Sequence, residues 1–296
     1  MATKPNNNLF LMCGMFIVVA VFASVSAFAQ SSGALEEYKR VLQLGSSDEK
    51  RTVLFTLRNF ESQEAANLAV VAIRDPDEMV RATAAGTLIF SSNPGANITP
   101  LLSDRAPFVR KEAAYALGKA RVTNAATRLS DMLLHDDNYE VRSACAVALG
   151  TTGTPFNVEA LSKAIRINKG NRKTFLRRAA ARSIGQIAQN AQHQIFSETT
   201  PRSFLPEEYK PKNIPEYKNL VETFPQFNSA LSVLFSMVDN KNTQEDELRE
   251  AVFALGEIGN EATLAKIARF RLSADPYLRE IALEAFRKVN ETAESQ

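Results

Sequence analysis

The sequence predicts an all-α chain, a right-handed α-solenoid of stacked antiparallel helix pairs. Three observations predict it. One helical frame is written again and again: "VRATAAGTLI" (80–89), "VRKEAAYALG" (109–118), "VRSACAVALG" (141–150), "LRRAAARSIG" (176–185) and "LREIALEAFR" (278–287). The frame keeps a period, with Arg at 51, 81, 110, 142, 177, 249 and 279 and gaps of 30, 29, 32, 35, 72 and 30. A fixed period of this size marks a repeat architecture. Between copies lie further runs with apolar residues at helical spacing: "QEAANLAVVAI", "NAATRLSDMLL", "NVEALSKAI", "FNSALSVLFSMV" and "EATLAKIARFRL". One helix pair cannot bury both apolar faces alone, whereas stacked pairs share a continuous core.

The chain opens differently. In residues 1–29 Lys4 is the only charged side chain, and Leu9 to Ala29 is apolar apart from Gly14, Ser24 and Ser26. It closes on "SAFA", whose Ala27 and Ala29 suit the narrow cleft of a signal peptidase. The expectation is a signal peptide over 1–29, cleaved before Gln30, and a periplasmic or secreted protein. The alternative is an uncleaved membrane anchor, since the apolar run is long enough to cross about 30 Å of hydrocarbon. Cleavage leaves 34 basic against 33 acidic residues and one cysteine, Cys145. No dominant basic field points to nucleic acid, and one cysteine forms no intrachain disulfide. The solenoid is expected over 30–296.

Within the copies each position has a physical reading. "KRTVLFTLR" (50–58) is a degenerate first copy, and "LREAVFALG" (248–256) fits after a one-residue deletion. Ser47, Asp77, Asn138 and Asp275 stand four residues before an Arg and are expected as N-caps of the second helix. Ala106 breaks that series, with Asp104 as a substitute. Gly in "LGKA", "LGTTG" and "IGQIA" is expected to end the second helix in a left-handed turn. Ala113, Cys145, Ala180 and Ala282 share the slot three after the Arg. Ala116, Ala148 and Ser183 share the slot at six. Small residues there allow close helix approach, so Cys145 reads as a buried, inert thiol in an alanine slot.

"DPDEMVRATAAGTL" and "VRKEAAYALG" resemble HEAT-like repeats of the short kind found in phycobilisome lyases, over about residues 35 to 292. The resemblance implies a solenoid whose second helices line a concave surface. It also implies that the repeated Arg is architectural, pairing with an Asp. Asp75, Asp104 and Asp136 each lie six residues before an Arg. Arg81, Arg110, Arg142, Arg177 and Arg279 are therefore read as struts bonding the turn or the adjacent copy. An anion-binding ladder is the rival reading. Enzymatic relatives are a bilin lyase and deoxyhypusine hydroxylase. The paired His-Glu motifs of the latter are missing, because this chain reads His135-Asp136 and His193-Gln194.

No His/Cys spacing suits zinc, and no nucleophile elbow, P-loop or dinucleotide fingerprint occurs. No cofactor, metal or small-molecule substrate is expected. Two surfaces remain. The long gap between Arg177 and Arg249 holds an insert at 197–227, with five prolines and with Tyr209, Tyr217 and three phenylalanines. Prolines at that density exclude a long helix, and loops of that length are often functional. The other surface is the face opposite the Ala-rich core: Lys111, Tyr115 and Lys119, then Arg178, Arg182 and Gln186, then Arg249, Phe253 and Glu257. The expected function is a non-catalytic scaffold binding a protein partner on that face. The alternative is a lyase-like or maturation-factor enzyme using the insert. No nucleic acid is expected as partner, and no membrane unless the first segment stays uncleaved.

Overall fold

The computed structural model of the chain describes residues 33–60, 62–170, 173–192 and 219–294, with backbone alone from 291. The segment 1–29 with Cys13, His193, and the insert as far as residue 218 with Tyr209 and Tyr217 lie outside the described residues. Among the described residues no helix is long and apolar enough to cross a membrane.

The described residues form an α-solenoid. α1 (33–44) and α2 (Ser47–Asn59) make the first pair. α3 (Gln63–Leu68), prolonged by 3-10 turns to Arg74, pairs with α4 (Glu78–Thr87). α5 (Pro94–Ile98), prolonged to Ser103, pairs with α6 (Pro107–Lys119). α7 (Ala126–His135) and α8 (Tyr139–Thr152) follow, then α9 (Val158–Ile167) and α10 (Thr174–Gln192). After a short α11 (Leu220–Thr223), α12 (Phe227–Asp239) pairs with α13 (Glu245–Ile258). α14 (Leu264–Ile267), set between 3-10 turns, pairs with α15 (Pro276–Glu294). The seven long second helices stack in the order α2, α4, α6, α8, α10, α13, α15. α10 and α13 pack directly on one another although most of the insert separates them in sequence.

The first helix of the third pair carries Pro94, Gly95 and Pro100, which hide it from periodicity. Pro94 sits in the first turn of α5, where the missing N–H costs nothing, and Pro100 opens the following 3-10 turn.

Caps set the turn geometry. Asp77 Oδ1 accepts from the amides of Met79 and Val80, and Asn138 Oδ1 from those of Glu140 and Val141. Asp275 Oδ1 accepts from the Tyr277 amide at 3.1 Å. At α6 no side chain caps the helix, and Asp104 Oδ1 accepts from the Ala106 amide at 2.8 Å. In the first pair the cap is Ser46 rather than Ser47. A Glu in third place completes a capping box there, with Glu49 returning to the Ser46 amide at 2.8 Å.

The frame's glycines do not end helices. Gly118, Gly150, Gly185 and Gly256 lie inside their helices, and positive φ among glycines is confined to Gly170 and Gly259 in the described residues. Their use is contact. A Cβ on Gly118 would lie 2.8 Å from Ala148 Cα, and one on Gly256 would lie 2.5 Å from Ala285 Cβ. Gly118 and Gly256 thus face an alanine of the next copy, so the second helices approach at backbone distance there. Hydroxyls use the same closeness: Thr87, Thr151 and Ser183 donate to the carbonyls of Leu54, Gly118 and Ala146 at 3.0, 2.7 and 2.7 Å.

Between the layers lie large side chains such as Leu102, Leu129, Leu133, Leu161 and Leu176, all fully buried. Truncating one such Leu to Ala costs about 2–5 kcal/mol. The second helices meet far more extensively than the first helices do. The second-helix layer is thus the tighter of the two layers.

Candidate functional site

The repeated arginines lie at the edge of the stack, in the turns. Arg81 Nε and Nη2 donate to both oxygens of Asp104 at 2.7 and 2.8 Å, while Nη1 reaches the Asp75 carbonyl of its own turn at 2.8 Å. Arg110 repeats this on Asp136 and the Asp104 carbonyl. The carboxylate thus comes from the following copy, and the acid six residues upstream offers its own Arg only a carbonyl. Arg177 pairs with Glu247 at 2.7 Å, and Arg249 with Asp275 at 2.7 Å. Arg279 donates to the Ser273 carbonyl at 3.3 Å. The Arg81 fork holds the Asp104 carboxyl below the ordinary carboxylate range against the opposing effect of burial. At Asp136 burial pulls upward, and the bonds from Arg110 and the Asn138 amide outweigh it.

The predicted binding face falls into two groups. On α6, Lys111 Nζ lies 3.0 Å from Glu140 and 4.8 Å over the Phe108 ring. Tyr115 packs half-buried against the core, and Lys119 is exposed, 6.0 Å over Phe90. α8 separates this group from the next, presenting Val147 at 38% exposure.

The second group surrounds a cavity of about 360 Å³ between α10, α13 and α15. Arg182, Gln186, Arg249 and Phe253 all line it, so four side chains of the predicted face converge on one place. Arg178 stands beside it, 2.5 Å from Asp246 and 5.2 Å over Phe175. Arg249 is held twice, by Asp275 and by the Tyr277 ring at 5.4 Å, so it is a strut as well as a wall. Phe253 reaches this place by packing on α10: a Cβ on Gly185 would fall 2.4 Å from its ring, so the ring needs the bare backbone there.

α15 completes the cavity with Tyr277, Ile281, Glu284, Ala285 and Lys288. Glu257, expected on the exposed stripe, is buried at 2% exposure and pairs with Lys288, itself 5% exposed, at 2.5 Å. The stripe turns inward there because α15 crosses over it. Arg182 meets Glu250 at 3.0 Å. Burial pushes the Glu250 carboxyl above its ordinary range, with Arg182 pulling against that. Extending the stripe to the seventh copy, at five and nine residues after Arg279, gives Glu284 and Lys288, so these were within reach of the repeat frame. Glu250 lies off the predicted stripe, and Tyr277 stands two before its Arg, as Phe108 and Phe175 do, a place the stripe left out.

His135 is exposed and bonds Asp131 at 2.9 Å. Among the described residues no group of His, Cys, Asp and Glu has the makings of a metal site.

Comparison with known proteins places the repeat. Residues 96–150 match the family model for HEAT repeats. That stretch runs from α5 through α6 and α7 to α8 and so contains two complete copies of the Arg frame. No curated protein sequence matches the chain. Among solved structures, an engineered protein is similar with a TM-score of 0.56 and 18% identity over 88% of this chain and 69% of its own. The complex of CpcE and CpcF of phycocyanin lyase from Nostoc gives 0.46 at 17% identity, over 88% of this chain and 94% of its own. A designed armadillo repeat protein gives 0.43 at 14% identity, over 86% of this chain and all, 100%, of its own. At 18% identity the likeness to the engineered protein is one of fold.

Proposed function

We propose that the chain is a non-catalytic, exported scaffold that binds a protein partner along its concave face, anchored at the cavity between α10, α13 and α15. The observation that carries this is the convergence of Arg182, Gln186, Arg249 and Phe253 on that cavity, with Tyr277 at its mouth, 64% exposed. Arg and Tyr are enriched among the residues that dominate interface energetics. Buried ion pairs such as Lys288–Glu257 are poor sources of stability compared with apolar packing. A charged pair at the base of a cavity therefore fits recognition better than scaffolding. The carboxylates around the cavity are engaged by basic neighbours: Glu250 by Arg182, Glu257 by Lys288 and Glu284 by Arg287. That supports a binding role over acid–base chemistry. The apolar segment ending in "SAFA" supports export. A mature chain whose intact mass begins at Gln30 supports it, and an uncleaved chain sinks it.

Site-specific photo-crosslinking in the native host tests the face. Probes at 186 and 253 should trap one common protein, and a probe at Lys163, exposed on α9 in the first-helix layer, should not. Equal trapping from both layers, or none from either, contradicts the proposal.

A further inference from the structure

The cavity between α10, α13 and α15 has a charge balance that selects its occupant. Arg182, Arg249 and Lys288 line it beside Glu250, Glu257 and Glu284. Each cation already meets an acid of the chain: Arg182 meets Glu250 at 3.0 Å, Arg249 meets Asp275 at 2.7 Å and Lys288 meets Glu257 at 2.5 Å. Glu284 is held by Arg287 at 2.8 Å. A charged occupant would bring a charge with no counterpart in these walls, and burying such a charge is costly. An uncharged occupant leaves every pair intact.

Between the charges the walls are apolar, supplied by Phe253, Tyr277, Ile281 and Ala285. Rings pair with rings at centroid separations of about 4.5–7 Å and gain beyond the area they bury, so an aromatic occupant beside Phe253 and Tyr277 is favoured over an aliphatic one. An apolar cavity of about 150 Å³ holds a benzene. This one, at about 360 Å³, has room for a larger ring and part of the backbone that carries it. Unused donors stand around it. In the described residues the Arg249 guanidinium makes one hydrogen bond, from Nε to Asp275, and its Nη2 lies 3.9 Å from Glu245, beyond bonding reach. The Arg182 guanidinium bonds through Nη1 alone, to Glu250. The charge of both is answered while several of their N–H groups are not, and neutral carbonyl oxygens suit those. Arg142 is different, and is not the strut that the sequence predicts: it enters no ion pair in the described residues, and its Nε is buried without a hydrogen-bond partner.

We infer that the cavity takes an uncharged aromatic side chain, presented by an extended segment of the partner whose backbone carbonyls accept from Arg182 and Arg249. The ring enters between Phe253 and Tyr277, and the segment's own charges, if it has any, stay outside. The protein source of the ring rests on the proposed function, whereas the preference for an uncharged ring is a property of the cavity itself.

The chain contains no tryptophan, so an added indole is followed by its own fluorescence. The full chain is titrated with N-acetyl-tryptophanamide, which is uncharged and carries backbone-like carbonyls. Its emission should shift to the blue and saturate. N-acetyl-tryptophan, an anion, and tryptamine, a cation, should each bind about tenfold more weakly, because their charge goes unmatched. 3-Methylindole, the same ring without carbonyls, should also bind more weakly. Ile281→Phe, which fills the space with a ring of the chain's own, should abolish saturation while circular dichroism shows its helices intact. A charged probe that binds as well as the amide overturns the assignment, and so does saturation that survives in Ile281→Phe. A dimer on gel filtration that the amide dissociates would give the cavity to a second copy and overturn the partner as source. A partner trapped from positions 186 and 253 with no binding of the amide leaves the scaffold standing and removes the ring site. Binding of the amide with no partner trapped keeps the ring site and removes the scaffold.

Discussion

Cys145 stands three residues after Arg142, in the slot that holds Ala113, Ala180 and Ala282, and its exposure is 0%. Burial pushes its thiol far above the ordinary range. The native chain should therefore resist a thiol-specific reagent at pH 8 at this position and react fully once unfolded. Peptide mapping separates it from Cys13. Rapid labelling of native Cys145 would contradict a sealed second-helix layer. Cys145→Ala, which restores the repeat's own residue, should cost about 1 kcal/mol in chemical denaturation. This residue was legible from sequence because its neighbours in the frame are alanines. Glu250 was not, since its partner Arg182 lies on another helix 68 positions away.

For the helices the decisive contact is glycine on alanine. Alanine is the better helix former by about 0.5–1 kcal/mol, so on propensity alone Gly→Ala stabilises. At Gly118 and Gly256 the new Cβ would strike Ala148 Cα or Ala285 Cβ, inside the distance real contacts allow. Overpacking of that kind costs about 1–3 kcal/mol. Gly118→Ala and Gly256→Ala should lower the urea midpoint, whereas Gly86→Ala should not. Its Cβ would meet only the mobile end of Arg58 at 3.3 Å. If all three behave alike, the glycines do not set the spacing. The second helices were readable because Arg, small residues and Gly keep one frame. The purpose of the glycine was not, because a Gly near a helix end reads as a stop until the helix is seen to continue past it. The first helix of the third pair stayed hidden for a related reason: two prolines and a glycine there are compatible with short and 3-10 turns but erase the periodic signal.

Across the whole molecule Arg–Asp rungs link neighbouring pairs at Arg81–Asp104, Arg110–Asp136 and Arg249–Asp275. Asp104, Asp136 and Asp275 have carboxyls held below the ordinary range, chiefly by Arg at Asp104 and Asp275 and against burial at Asp136. A depressed folded pKa contributes stability that is complete above the unfolded value of about 3.9 and is lost as pH falls through the folded values. Stability should thus be level from neutral pH down to about pH 4 as far as these groups are concerned, then fall steeply. Glu250 acts with the opposite sign, since its raised carboxyl is relieved by protonation as pH falls. Asp104→Asn with Asp136→Asn should flatten the acid limb and lower stability at neutral pH. Asp104→Asn should cost about 3 kcal/mol, because the buried Arg81 is left uncompensated, and Asp136→Asn should cost less, because Arg110 is only part-buried. An unchanged acid limb in the double variant would exclude the rungs as its origin. The period of the stack was visible in the sequence. The direction of each rung was not, because Asp six before an Arg and Asp some two dozen after the previous Arg are the same residue.

The direct seating of α13 on α10, with Arg177 reaching Glu247 across 70 positions, means that the backbone linking them need not be continuous. A chain cut once between 193 and 218 should remain a single particle on gel filtration under native conditions. Two separately expressed pieces, ending before and starting after the cut, should find each other and restore helicity. The protein would then be a natural split reporter whose halves are joined by an interface it already owns.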